Sequence, residues 1–370
     1  MTALVAGLVL WAAVAFAYRF LALRSLAQQC APGPRPVARP AGAAVALRPL
    51  RRAGAGSEAC LESLLSAAEA AGVEVVLGVE DPADPAAALA SAARERHPAL
   101  RCELRVARGP AGRNRKVANL VQMTAGRKAD LWLLTDGDVR VPPDYVARMA
   151  AAFEAPDVGF ATGPHRSVPA RGSASRLDAL LTNTHYLPSV CLAARFEGVH
   201  FGLGASLAVR GDALERAGGF EALLSLATDD YGLAQRVEAA GFALAWAPVV
   251  VDHVLEDEGW REALHRQLRW ARGVRSVRPL GYAGQLAVHG VPPVLLLSGV
   301  ALVSGGPGWL LPFGWLLPLG WWGVQLAHLW RRRAILGLRA SDLPWLPLVD
   351  LLAVAVWAGG LVGSPEPPRA

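Results

Sequence analysis

Two spacings of apolar side chains alternate along this chain. The continuous apolar run Leu131-Trp132-Leu133-Leu134 predicts a strand buried on both faces. Ala43 to Leu50 and Val73 to Val79 read the same way, and Leu104-Arg105-Val106 is a shorter strand. Between them the period changes to that of a helix. Glu58 to Ala71 puts Leu61, Leu64, Leu65 and Ala68 on one face, and Pro85 to His97 and the stretch around Asn119 to Met123 read as further helices. Strand alternating with helix predicts an α/β fold whose mostly parallel sheet carries helices on both faces.

Beyond Arg140 the pattern is more mixed. A helix is predicted from Pro142-Pro143-Asp144 to Phe153, a strand at Val158 to Ala161, and a helix containing His185 from Ala174 to Leu192. Gly202-Leu203-Gly204 reads as a turn entering a strand that ends at Val209. Thr228-Asp229-Asp230-Tyr231 opens a helix to Ala240, with Thr228 or Asp229 as its cap. A strand follows over Phe242 to Val251, then a basic helix from Trp260 to Arg275.

The two ends are different in kind. Met1 to Tyr18 has no charged side chain and is followed by Arg19 and Arg24. About 18 apolar residues reach the lower limit for a spanning helix. No small-residue cleavage site follows, so an anchor is expected rather than a signal peptide. Gly281 to Trp330 contains no Asp, Glu, Lys or Arg, which suffices for two passes turning near Gly305-Gly306-Pro307-Gly308. Pro292-Pro293 is expected to break the first of these. Leu346 to Val362 is a third apolar segment, with Asp350 expected in its first turn, near the interface. The arginines after the first segment and Arg331-Arg332-Arg333 place the intervening domain in the cytoplasm. The expected organisation is an anchor (1–24), a Pro/Gly-rich linker (25–42), a catalytic domain (43–280) and a membrane region of about three helices (281–370).

Composition agrees with a membrane-bound protein. Hydrophobic residues make up 53% and mean hydropathy is +0.30. The net charge of +6 suits an anionic lipid surface or a phosphorylated donor. Its basic residues are scattered and not interleaved with aromatics, which argues against nucleic acid. Cys30, Cys60, Cys102 and Cys191 show no metal-binding spacing and are expected as reduced thiols.

Candidate chemistry lies at element ends. Asp136-Gly137-Asp138 closes the strand that begins at Leu131, where open α/β sheets bind their ligands. Two hard carboxylates one residue apart suit Mg²⁺ or Mn²⁺ carrying a diphosphate, although Asp-Gly is also ordinary turn chemistry. Asp81 ends another strand and Asp229-Asp230 starts a helix, and each alone reads as a turn or cap. Arg266-x-x-Arg269-Trp270 lies on the basic helix and alone reads as a membrane-surface helix.

Taken in order these pieces are more specific. Together with Asn114-Arg115-Lys116 and His185 in Thr184-His185-Tyr186, they resemble family 2-like glycosyltransferases. The nearest resemblance is to the ceramide glucosyltransferase-like group (family 21), within it to bacterial enzymes adding N-acetylglucosamine to a hopanoid polyol. It covers Val45 to Tyr282. It implies a GT-A, Rossmann-like nucleotide-sugar domain and an inverting transfer of one sugar, N-acetylglucosamine or glucose, from a UDP-sugar to a lipid hydroxyl. The implied acceptor is a hopanoid such as bacteriohopanetetrol, and the implied location is the bacterial inner membrane. Asp230 is the implied base. Asp138 and Asp136 are the implied metal ligands, and Asp136 is also implied to contact the ribose or a metal-bound water. Asp81 meets the uracil edge, and Arg266 and Arg269 face the leaving diphosphate. Lys116 reads as a phosphate contact or a surface lysine, and Trp270 as a stacking or a packing residue. His185 and Asp229 are acceptor candidates, His185 equally a satisfied buried histidine, and His253 carries less weight. Eukaryotic ceramide enzymes lack the second acid at the Asp138 position. Ceramide glucosyltransferase, a processive polysaccharide synthase and a non-catalytic membrane scaffold are the competing readings. A synthase would need more spanning helices for a polymer channel.

Overall fold

The computed structural model describes residues 2–31, 40, 42–303 and 311–365. In chain order the elements are α1 (Thr2–Gln29), β1 (Ala44–Pro49), α2 (Ser57–Ala71), β2 (Glu74–Val79), α3 (Pro85–Arg96), β3 (Cys102–Val106), α4 (Arg115–Thr124), β4 (Leu131–Thr135), β5 (Val139–Arg140), α5 (Tyr145–Ala151), β6 (Val158–Thr162) and β7 (His165–Val168). Then come α6 (Ser173–Leu181), a π-helical turn (Thr182–Tyr186), α7 (Leu187–Phe196), β8 (Ser206–Arg210), α8 (Gly211–Arg216), α9 (Asp229–Ala239), β9 (Ala243–Trp246) and β10 (Val251–Val254). The remainder is helical: α10 (Trp260–Val277), α11 (Pro279–Val288), α12 (Val291–Val303), α13 (Leu311–Arg331), α14 (Arg333–Leu336) and α15 (Leu346–Gly360). These fall into two compact units.

The first unit, residues 30–175 and 193–258 of those described, is the α/β domain. Its seven-stranded sheet has the order β3-β2-β1-β4-β8-β6-β9. The pairs among β3, β2, β1 and β4 are parallel, and β8 runs antiparallel to both β4 and β6. Burial on both faces is explicit in β4. Leu131 and Leu133 join a core with Leu61, Leu64, Leu65, Val75 and Leu77, whereas Trp132 and Leu134 join another with Val117, Leu120, Met123 and Phe220. Successive side chains on a strand point to opposite faces, so an apolar run supplies both cores at once. Strand order reverses between β1 and β4, which opens a crevice beyond their carboxyl ends.

A second, three-stranded sheet, β5-β10-β7, was not expected. The expected strand Phe242 to Val251 is in fact two, β9 in the large sheet and β10 in the small one. Pro248 lies between them and cannot donate to a ladder.

The second unit, residues 2–29, 176–192 and 259–365, is helical. Three stretches are long and apolar enough to cross a membrane: Ala3–Gln29, Pro279–Val303 and Ala340–Gly360. The N-terminal helix continues to Gln29, through residues expected to open the linker. The break expected at Pro292-Pro293 falls instead at His289-Gly290, between α11 and α12. The two prolines occupy the first turn of α12, where a missing N–H costs nothing. The turn expected near Gly305 to Gly308 lies outside the described residues. Asp350 lies past the first turn of α15, which holds no acid. Its side chain and that of Arg19, 12% and 13% exposed, face each other with Oδ1 and Nη2 3.7 Å apart. Buried charges persist where they are paired.

Candidate active site

The α/β unit gathers its acids and one lysine around the crevice. β4 delivers Asp136 and Asp138 just past its end. The loop after β3 ends at Asn114, whose side chain caps α4 by accepting from the Val117 N–H at 3.2 Å. The cap orients the first turn, so that Lys116 points back over the sheet end. Lys116 Nζ lies 2.7 Å from Asp136 Oδ1 and 3.4 Å from Asp229 Oδ2. Burial would lower its pKa, but Asp136 and Asp229 outweigh burial and raise it, so it is a permanent cation. Lys116 is therefore not a surface lysine.

Asp229 and Asp230, at the start of α9, face different ways. Asp229 is 9% exposed. Its Oδ1 accepts from Asn114 Nδ2 at 3.0 Å and its Oδ2 faces Lys116. The acceptor contact expected of Asp229 does not match this inward orientation: both of its oxygens are occupied in holding Asn114 and Lys116. Asp230 Oδ2 accepts from the Gly204 N–H at 2.8 Å, and its Oδ1 from the Tyr231 N–H at 2.8 Å. Burial, and then the charge of Asp229, push the Asp230 carboxyl up to about 6. Helix-terminal N–H groups alone would have kept it low, and here burial prevails.

Gly204 sits among these groups. A Cβ there would lie 3.3 Å from Asp230 Oδ2, 3.4 Å from Lys116 Nζ and 3.6 Å from Asp136 Oδ2. Glycine keeps that space open for a ligand.

The two strand-end acids are set apart by their neighbours. Burial and the adjacent Asp138 raise the Asp136 carboxyl, with Lys116 opposing. Burial would raise Asp138 as well, but His253 holds it down at about 2. His253 Nε2 is 3.2 Å from Asp138 Oδ2, and its Nδ1 is 3.3 Å from Ser167 Oγ. Behind them Arg48 is fully buried. Its guanidinium donates to Thr135 Oγ1 at 3.1 and 2.9 Å, to the Cys60 carbonyl at 2.6 Å and to the Val139 carbonyl at 2.8 Å. It thus ties down both ends of the Asp136-Gly137-Asp138 turn. Burial lowers its pKa to about 10, still a cation at neutral pH.

This donor set fits a divalent cation that arrives with a diphosphate. Among the described residues no cluster of three His, Cys, Asp or Glu side chains encloses a metal. Two carboxylates remain, with side chains 34% (Asp136) and 53% (Asp138) exposed, and the second is ionised at any ordinary pH. Mg²⁺ and Mn²⁺ take one or two carboxylates and complete their shell with phosphate oxygens and water. His253 would orient Asp138 for that role.

Asp81 lies in the exposed turn after β2. Its Oδ1 accepts from the Ala83 N–H at 2.9 Å, which leaves it also able to meet a base edge. Its neighbour Glu80 pairs with Arg115. Arg266, Arg269, Trp270 and His185 belong to the helical unit. There Arg266 donates twice to the buried Asp178, at 3.0 and 2.9 Å, and Trp270 stacks on Tyr186 with centroids 6.2 Å apart. Arg269 is half-buried on the same helix. The sequence pattern assigned no site role to Asn114, Gly204, Arg48 or Asp178. A cap residue directly before a helix, and Gly-x-Gly before a strand, were signals for the first two.

A mostly parallel sheet with its acid pair at the switch point, helix-borne acids and a lysine opposite defines a GT-A nucleotide-sugar glycosyltransferase domain. The profile of glycosyl transferase family 21 matches residues 7–365, and the chain belongs to that family. Among solved structures the chain is similar to a mannosyltransferase of Pyrobaculum calidifontis in complex with GDP-Man and Mn²⁺. Identity is 18%, over 97% of this chain and 99% of that one, with a TM-score of 0.50. It also matches a glucosyl-3-phosphoglycerate synthase of Mycobacterium tuberculosis at 15% identity, over 69% of this chain and 84% of that one, with a TM-score of 0.40. At such identities the likeness to the first of these speaks for the fold.

Proposed function

We propose that this protein is an inverting, membrane-bound transferase that moves one sugar from a UDP-sugar to the hydroxyl of a lipid. The observation that carries the reading is Asp230. Its carboxylate is half-buried, held by two backbone N–H groups, and poised at about 6, where a base is both ionised at neutral pH and strong enough to take a hydroxyl proton. The acceptor oxygen attacks the anomeric carbon as Asp230 takes its proton, and the bond to the diphosphate breaks on the opposite side. Asp136 and Asp138 would hold Mg²⁺ or Mn²⁺, which when bound supplies charge for the departing diphosphate. Lys116 adds a fixed positive charge beside them. Asp81 would meet the uracil edge.

Three membrane-length helices support a lipid acceptor held in the bilayer, since extracting it would cost about 0.8 kcal/mol per exposed CH₂. Family membership favours N-acetylglucosamine or glucose as the sugar, and a hopanoid polyol or a ceramide as the acceptor. The basic segments Arg24 and Arg331-Arg332-Arg333 favour a bacterial cytoplasmic membrane with the catalytic domain on the cytoplasmic side. The test is to incubate membranes holding the full chain with labelled UDP-sugars and a bacterial lipid extract, then identify products by mass spectrometry. A singly glycosylated lipid is expected. Label found only in polymer, or in no product, would overturn the reading.

A further inference from the structure

Within the helical unit a small cavity lies where all three membrane-length stretches meet. Arg19 comes from the first, His289 from the second and Asp350 from the third, with His185 and Gln325 completing its polar lining. The polar groups are partly matched to one another. Arg19 Nη1 donates to His185 Nδ1 at 3.1 Å. Because arginine can only donate, Nδ1 is the acceptor and the proton of the neutral ring sits on Nε2. That Nε2–H lies 2.9 Å from Asp350 Oδ1, yet not in hydrogen-bonding geometry. Asp350 Oδ2 takes the Trp322 indole N–H at 3.0 Å. Gln325, also lining the cavity, is 4% exposed, and its Oε1 is buried with no partner among the described residues.

The cavity is therefore lined by one poorly met donor, His185 Nε2–H, misaligned on Asp350, and one unmet acceptor, Gln325 Oε1. Arg19 and Asp350 already balance each other's charge, so a charged occupant gains little. A hydroxyl is the smallest group that both donates and accepts. The available space suits about one such group. His185 sits on a π-helical turn, an irregularity that recurs at functional sites.

We propose that this cavity binds a hydroxyl of a lipid headgroup, which accepts from His185 and donates to Gln325 while the lipid's apolar body stays among the helices. The proposal rests on the reading of the acceptor as a lipid and adds where one of its hydroxyls is recognised. Buried polar atoms left unmet are costly, and such a ligand would meet both.

The test uses the full chain in nanodiscs and a photoreactive alkylglycerol with a diazirine in its chain. Labelling of peptides containing His185, His289 or Gln325 is expected, with competition by dodecane-1,2-diol but not by dodecane. Gln325→Leu should cut labelling roughly threefold or more, the worth of one hydrogen bond in a membrane, and raise the KM for the lipid with little change in the KM for UDP-sugar. Its thermal midpoint should hold or rise, because a lone buried oxygen is removed. Labelling and lipid KM unchanged in Gln325→Leu would overturn the proposal and assign the cavity to water, even if lipid glycosylation is confirmed. Should the protein glycosylate no lipid at all, the functional reading fails, and hydroxyl-dependent labelling still decides the cavity by itself.

Discussion

The backbone N–H of Gly204 donates to Asp230 Oδ2 at 2.8 Å, and a side chain on Gly204 would enter the space between Asp230, Lys116 and Asp136. One residue thus orients the proposed base and leaves room for what that base would act on. Gly204→Ala is expected to keep the fold, because the crowding is a few tenths of an ångström, and to lower kcat by about 10- to 100-fold through misplacement of the reacting groups. Steady-state kinetics on the purified variant decide it, and wild-type turnover would show that the space is not used.

Asp230→Asn removes the base but keeps its shape. Transfer should fall by about 10²- to 10⁴-fold, with UDP binding, measured calorimetrically, within a few fold of wild type. A variant keeping more than about a tenth of the activity would exclude Asp230 as the base.

Activity should have an acidic limb set by the same group. The base works only when deprotonated, and burial and Asp229 bring its pKa to about 6. kcat/KM should therefore be level above that value and fall about tenfold per pH unit below it. Asp138, held at about 2, does not titrate in this range. A profile flat down to pH 4.5 would contradict the assignment.

Chelation should stop turnover, and Mn²⁺ or Mg²⁺ should restore it. Asp138→Ala should abolish activity or raise the metal concentration needed, since one of two available carboxylates is gone. Full turnover in excess chelator would leave Lys116 and the arginines to balance the diphosphate alone.

Arg48→Met should destabilise the protein by about 2–4 kcal/mol, because it removes the guanidinium that donates to Thr135 Oγ1 and the Val139 carbonyl, and leaves the Cys60 carbonyl with Ser63 Oγ as its side-chain donor. A lower thermal midpoint is expected. Lysine should not rescue it, because one ammonium cannot replace a planar fork reaching three acceptors.

Much of the frame could be read from the chain because its energetics are local and periodic. β4 was legible since every residue from Leu131 to Leu134 is apolar, and helix α2 since Leu61, Leu64, Leu65 and Ala68 recur on one face and are all buried. Asp136-Gly137-Asp138 stood out as carboxylates at the end of a buried strand, and Asp229-Asp230 as acids at a helix start. The small sheet was not legible. β5 has two residues, β7 and β10 four each, too short to show a period, and they exist because distant strands pair. Tertiary structure alone decided the partnerships: Asn114 with Asp229, 115 residues apart, Arg266 with Asp178, and Arg19 with His185 and Asp350. It also decided that Asp229 turns inward while the carboxyl of its neighbour Asp230 is raised. Periodicity depends on residues two to four apart, whereas desolvation and charge pairing depend on which side chains the folded topology brings within a few ångströms, and no local pattern records that.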